Sequence, residues 1–176
     1  MNFSHTFWFT GLSGAGKTTL AEGLATHYRS RGIHLVVLDG DALRNTLSND
    51  LSFTEADRLE QNRRAAGIAT LLNAQGIVVF AALISPTTFI RDAIKQQMGE
   101  GYLHFIHVDC SLEGCIKRDV KKHYVEALKK KNGTFTGIHQ TYEIPVNPWV
   151  TIQTEHHSLE ENLLELIKKI DPLILE

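Results

Sequence analysis

Cysteine, proline, methionine and tryptophan are all scarce in this 176-residue chain, with two Cys, four Pro, two Met and two Trp. Two cysteines cannot build a disulfide framework, so a conventional core and a reducing compartment are expected. Cys110 and Cys115 stand five apart, near a strand end and in the helix after it, and read either as buried thiols or as a redox pair. No apolar stretch reaches the roughly 18 residues that span a bilayer, so no membrane partner is expected. Met1 to Thr10 lacks a basic n-region and a small-residue cleavage site, and is read as the mature start of a cytoplasmic protein. A strong charge of either sign is also missing. The net charge of −2, with nine His left neutral, argues against a nucleic-acid partner but leaves room for a local anion site. There is no internal repeat and no low-complexity tract.

What is present is the balance of a globular domain, 43% hydrophobic and 22% charged, with length for one sizeable core. Five short apolar runs alternate with helical patterns, which predicts an α/β fold: a parallel five-stranded sheet with helices on both faces. The runs are Thr6 to Thr10, His34 to Leu38, Ile77 to Leu83, Tyr102 to Val108 and a weak Val150 to Thr154. The helices fall near Lys17–Arg31, Thr54–Gln75, from Pro86 to about Met98, after Ser111 as a plausible N-cap, and over Leu159–Ile170. Gly32 and Gly76 fit positions just past helix ends, and Thr54-Glu55-Ala56-Asp57 resembles a capping box.

The segment Gly11-Leu12-Ser13-Gly14-Ala15-Gly16-Lys17-Thr18 matches GxxxxGK followed by Ser or Thr, between a strand and a helix as the motif requires. Its glycines let successive backbone N–H groups curl around phosphate oxygens, and the helix N-terminus adds partial positive charge. Lys17 is expected on the β- and γ-phosphates of ATP and the Thr18 hydroxyl on Mg²⁺. This makes the chain a P-loop nucleotide binder with a three-layer architecture. An Asn-Lys-x-Asp element for reading guanine is missing, and the chain is short for a motor or transporter ATPase. A small-molecule kinase leads, and a nucleotide-gated binding module is the other class.

On the acceptor side, Asp39-Gly40-Asp41 ends the second run, where the loops of an open α/β sheet face the ligand crevice. A carboxylate there orients the Mg²⁺ shell or takes the proton of an attacking hydroxyl; Asp41 also reads as a helix N-cap, and both roles can hold together. Arg44, Arg58, Arg63 and Arg64 follow, and bidentate guanidinium groups suit an anionic acceptor. Arg44 and Arg58 are assigned to the site and the others to a solvated face. Phe53 either stacks on a base or packs in the core. From Asp119 to Asn147 a polar stretch with Lys121, Lys122 and Lys129 to Lys131 breaks the rhythm, and reads as a functional lid or a solvated basic loop. The whole, 1–176, is taken as a single kinase domain with this insert.

These residues resemble the adenylyl-sulfate kinase family over essentially the whole chain. The resemblance rests on Gly11 to Thr19, Asp39-Gly40-Asp41 with Arg44, Leu51-Ser52-Phe53 with Asp57-Arg58, Arg63-Arg64, Ile84-Ser85-Pro86 and Arg118-Asp119. Phe135-Thr136-Gly137-Ile138 with Tyr142-Glu143 and Pro145 is its most diagnostic part. It implies transfer of the ATP γ-phosphate to the ribose 3′-hydroxyl of adenylyl sulfate, in the cytoplasm, with homodimers common. By this resemblance Asp41 is the catalytic carboxylate with Lys17, while Gly11, Ser13, Gly14, Ala15, Gly16, Thr18, Thr19 and Arg118 hold ATP. Asp39, Arg44, Arg58 and Gln61 line the acceptor, Phe53 and Phe135 flank its base, and Ile84 and Ser85 wall its pocket. Transfer is taken as direct, with no phosphoserine at Ser85. The chain departs from the family at Gln61 and Asn62 where Asn and Ile are usual, at Thr87 and Thr88 after Pro86, at Ala42 and at His123. These departures fall on the acceptor side, so a different nucleotide-linked acceptor such as cytidine diphosphoramidate stays open as the alternative.

Overall fold

The computed structural model describes residues 4–99, 101–119, 122–130 and 133–175. Met1 to Phe3 of the expected start, and Val120, Lys121, Lys131 and Asn132 of the expected lid, lie outside the described residues. Five strands, β1 (Thr6–Thr10), β2 (Leu35–Asp39), β3 (Val78–Ala82), β4 (Leu103–Asp109) and β5 (Val150–Gln153), pair in the order β2-β3-β1-β4-β5. All four pairings are parallel, with Phe7 beside Phe80 on one side and His104 on the other. Because β1 and β3 are covered on both faces, every one of their residues is buried, which explains runs without polar alternation.

The pleat sends alternate side chains to two separate cores. Phe7, Phe9, Phe80, Ala82, Ile106 and Val108 pack against α1 (Lys17–Arg29) and α7 (Leu159–Ile174). Trp8, Val79, Ala81, Leu83 and Phe105 pack against α3 (Glu55–Asn73) and α4 (Thr88–Met98). The expected three-layer α/β sandwich is present. The remaining helices, α2 (Gly40–Asn45), α5 (Leu112–Arg118) and α6 (His123–Lys129), lie along the cleft edge.

Several boundaries differ from the sequence reading for identifiable reasons. Helix α4 starts at Thr88, because the Thr87 hydroxyl accepts from the Ile90 amide and caps it, leaving Ser85-Pro86 in a loop. Asp39, not Asp41, is the N-cap of α2, its carboxylate accepting from the Asp41 and Ala42 amides. The Thr54 box is half-made: Thr54 caps Asp57, but the Asp57 carboxylate turns to the Ser52 amide. A complete box opens α7, between Ser158 and Glu161. Helix α7 runs on to Ile174 through Pro172, where Asp171 is held by Tyr28 and Arg31. Gly32 and Gly76 do follow helix ends, each with φ near 80° or below (79° and 74°). Both cysteines are buried and free.

Candidate active site

The local backbone of the cradle follows from its glycines. Gly16 sits just before α1 at φ 103°, a conformation that L side chains rarely adopt. At Gly11 a Cβ would stand 2.5 Å from the Val108 carbonyl oxygen, so only glycine fits between β1 and β4. The Lys17 ammonium folds back and donates to the Gly11 and Leu12 carbonyls at 3.0 and 2.7 Å, arching over the loop. Thr18 Oγ1 donates to Asp39 Oδ2 at 2.7 Å, joining the start of α1 to the end of β2. That pair sets two hard oxygens on the cleft floor beside Lys17, a donor set that suits Mg²⁺.

A cleft of about 650 Å³ opens along the carboxyl ends of the strands. It is lined by Ser13, Gly14, Gly16, Lys17, Thr18 and Thr19 from the cradle and by Arg118 beside them. Asp39, Asp41, Arg44, Phe53, Arg58, Gln61, Ile84 and Ser85 line the rest. Five chain segments therefore converge on one cavity. Gly11 and Ala15 shape the loop from behind; the Ala15 carbonyl accepts from the Thr154 hydroxyl at 2.7 Å, and the same hydroxyl accepts from Arg118 at 3.0 Å. The Phe135 ring packs edge-on against Tyr124, 4.8 Å between centroids, outside the cleft lining. Apolar packing on the buried Tyr124 of α6 wins there, and Tyr124 in turn donates to the Ser13 carbonyl at 2.9 Å.

The two pairs of arginines separate cleanly. Arg63 and Arg64 pair with Glu60, and Arg64 also with Asp50, so their charge is compensated on the outer face of α3. Their hydrogen bonds pull the Glu60 carboxyl down to about 2. Arg44 and Arg58 instead flank the Phe53 ring, 4.3 and 5.5 Å from its centroid, and neither forms an ion pair with a carboxylate among the described residues. Arg58 is 5% exposed and, among the described residues, donates to two neutral acceptors, the Gln140 side chain at 3.0 Å and the Thr134 carbonyl at 2.8 Å. Burial, then the neighbouring Arg44 charge, lowers Arg58 to about 10, so it stays cationic at neutral pH. Burial likewise lowers Arg44. A buried Arg58 beside a half-buried Arg44, the latter feeling the Asp41 and Asp57 charges but forming no ion pair with them, is an arrangement that suits an anion.

Other cleft residues were not singled out from the sequence. Asn62, Thr154, His157 and Asn162 all line the cavity. Asn62 was noticed only as a departure from the family pattern, and no local motif marks the others. Gln61 donates to the Gly40 carbonyl at 2.8 Å, pinning the first turn of α2, which carries Asp41. Arg91, which is buried and marked by no motif, donates to the Ser85 carbonyl at 2.9 Å, and the Glu143 carboxylate accepts from the Thr88 amide at 2.6 Å. This ties Tyr142-Glu143 to the Ser85 loop.

Comparison with known proteins agrees with this geometry. The sequence profile described as adenylylsulphate kinase matches residues 3–153. A probable adenylyl-sulfate kinase of Halalkalibacterium halodurans is 43% identical over 173 residues, covering 98% of this chain and 81% of that protein. An adenylyl-sulfate kinase of Picosynechococcus sp. is 42% identical over 168 residues, 96% of this chain and 94% of the other. The structure of Mycobacterium tuberculosis APS kinase CysC in complex with AMPPNP and APS superposes with a TM-score of 0.92 at 35% identity, over 97% of this chain and 99% of that one. With the P-loop, the converging acceptor wall and these full-length likenesses together, the chain belongs to the adenylylsulphate kinase family.

Proposed function

We propose that the protein transfers the γ-phosphate of ATP to the ribose 3′-hydroxyl of adenylyl sulfate, forming 3′-phosphoadenylyl sulfate and so activating sulfate. The observation that carries this is a single cleft with a phosphate cradle at one end and two arginines, neither ion-paired among the described residues, around an aromatic ring at the other. In this reading the backbone amides of Ser13 to Thr19 and Lys17 hold the triphosphate, and Arg118 covers the ATP base. Thr18 and Asp39 hold Mg²⁺, which when bound neutralises phosphate charge. Asp41, in the same wall, orients the acceptor hydroxyl and takes its proton as the new P–O bond forms. Arg44 and Arg58 hold the sulfate-bearing end, and Phe53 lies against the base.

Direct in-line transfer is supported by Ser85, whose hydroxyl is buried at 1% exposure and already donates to Asn62. The reading takes 1–176 as one kinase domain, with 119–147 as a lid that closes over both ligands and excludes water. Tyr124 on Ser13, together with Thr134 and Gln140 on Arg58, supports it by linking that segment to both ends of the cleft. It also extends to a cytoplasmic homodimer. Free cysteines support the compartment, and sedimentation that showed only monomer at assay concentration would remove the dimer.

The test is ATP consumption by purified protein with adenylyl sulfate, cytidine diphosphoramidate, shikimate, gluconate and nucleoside monophosphates. Rapid turnover with adenylyl sulfate alone is expected. Turnover confined to the phosphoramidate would transfer the same chemistry to another acceptor, and turnover without any acceptor would favour a nucleotide-gated module.

A further inference from the structure

We infer that Asn62 is a positioning residue for the acceptor end of the cleft, joining the helix that carries Arg58 to the loop that carries Ser85. This rests on the proposed reaction and adds to it a residue with no contact role in that scheme. Asn62 lies on α3, one turn after Arg58, is 4% exposed and lines the cleft. Its Nδ2 donates to the Arg58 carbonyl at 2.8 Å. A carbonyl can only accept, so this bond fixes the amide's orientation and turns Oδ1 toward Ser85. Ser85 Oγ donates to that Oδ1 at 2.6 Å, and itself accepts from the Trp8 indole N–H at 2.8 Å. The result is a buried chain from the central strand β1, through the β3–α4 loop, to the backbone of α3.

The loop needs such support. Ser85 sits at φ 45°, a left-handed conformation that costs a non-glycine residue energy and persists only where its surroundings over-determine it. The Ser85 carbonyl is held by Arg91, the Ile84 carbonyl accepts from Thr10 at 2.6 Å, and the Ser85 side chain is held by Asn62 and Trp8. Of these partners, Asn62 alone lies on α3, so it alone ties the Ser85 loop to the helix that carries Arg58. An apolar side chain at 62 would leave the Ser85 proton, and one Arg58 carbonyl lone pair, without their partner. It would also let the Ser85 loop and α3 move apart. The spacing between Arg58 and the Ile84-Ser85 wall is therefore set by an amide, while the cradle, on the far side of the cleft, is not part of the chain.

The experiment is steady-state kinetics of Asn62→Leu, Ser85→Ala, the double variant and Trp8→Phe, with both KM values measured. Asn62→Leu is expected to raise the acceptor KM about tenfold and leave the ATP KM within about twofold, the split of a local change in one subsite. The double variant should fall well short of the product of the two singles, since both cut the same bond. Trp8→Phe, which keeps a large ring and removes the indole donor, should show the same split to a smaller degree and serves if Asn62→Leu does not fold. A readout independent of substrate is hydrogen exchange of the Trp8 indole N–H by NMR, slow in the wild type and faster in Asn62→Leu. Equal rises in both KM values, full multiplicativity, or unchanged indole exchange would each overturn the assignment. Absent wild-type turnover of adenylyl sulfate would count against the proposed reaction instead, and the exchange measurement would still judge the chain of bonds.

Discussion

The two ends of the same five strands are built on opposite electrostatic terms. At the amino end, buried polar groups satisfy one another: Thr6 donates to Asn73 at 2.6 Å, Asn73 donates to the His5 and Ile77 carbonyls, and His5 and His104 share a hydrogen bond at 3.0 Å. At the carboxyl end, Arg58 is buried beside a half-buried Arg44, and Ser85 holds a strained backbone. The difference teaches where stability and function lie: one edge closes its polar accounts internally, and the other keeps charge in reserve for ligands. Substitutions at the two edges should therefore give opposite signatures.

The sharpest expected effect is at the cradle. Lys17→Ala should lower phosphoryl transfer by about a thousandfold, roughly 4 kcal/mol of transition-state stabilisation, with an unchanged circular dichroism spectrum. Near-normal turnover would break the comparison at its functional edge. Arg58→Met should raise the acceptor KM about a hundredfold with little change in the ATP KM. Its unfolding midpoint should hold or rise, because a desolvated cation is removed. A large loss of stability there would mean that Arg58 is structural.

At the amino edge the signs reverse. Asn73→Ala, at a side chain 1% exposed and bonded through both its oxygen and its nitrogen, should cost about 2 kcal/mol in urea unfolding while kcat/KM at 25 °C is preserved. A loss of activity without a loss of stability would contradict it. The pH dependence follows from His104, lowered from 6.5 to about 4 by burial and by the His5 charge. The unfolded chain binds that proton first as pH falls, so stability should decline between about pH 6.5 and 4 and then level off. After allowance for partial exposure the contribution is of order 1–2 kcal/mol, and His104→Phe should flatten this limb in urea titrations at pH 7 and pH 5. An identical slope in the variant would remove His104 as its source. The smallest effect is expected for Arg64→Ala, which should move neither KM by more than about twofold, since its charge is spent on Asp50 and Glu60 at the surface.

The sequence by itself determined the strand–loop–helix that makes the cradle, because Gly11, Gly14, Gly16, Lys17 and Thr18 act through backbone contacts a few residues apart. Continuous apolar runs likewise announced buried parallel strands, and with them the crevice at their carboxyl ends. Nearness to Asp41 and Phe53 already favoured Arg44 and Arg58 for the cleft, but only the tertiary structure decided which carboxylates hold Arg63 and Arg64, since whether Glu60 and Asp50 reach them is a matter of folded distance. The same holds for Phe135, an aromatic that packs on Tyr124 rather than facing the cavity, and for Asn62, whose partners lie 4 and 23 residues away. Local backbone geometry is written in residue type and spacing. The partners of a long side chain depend on which segments the sheet brings together.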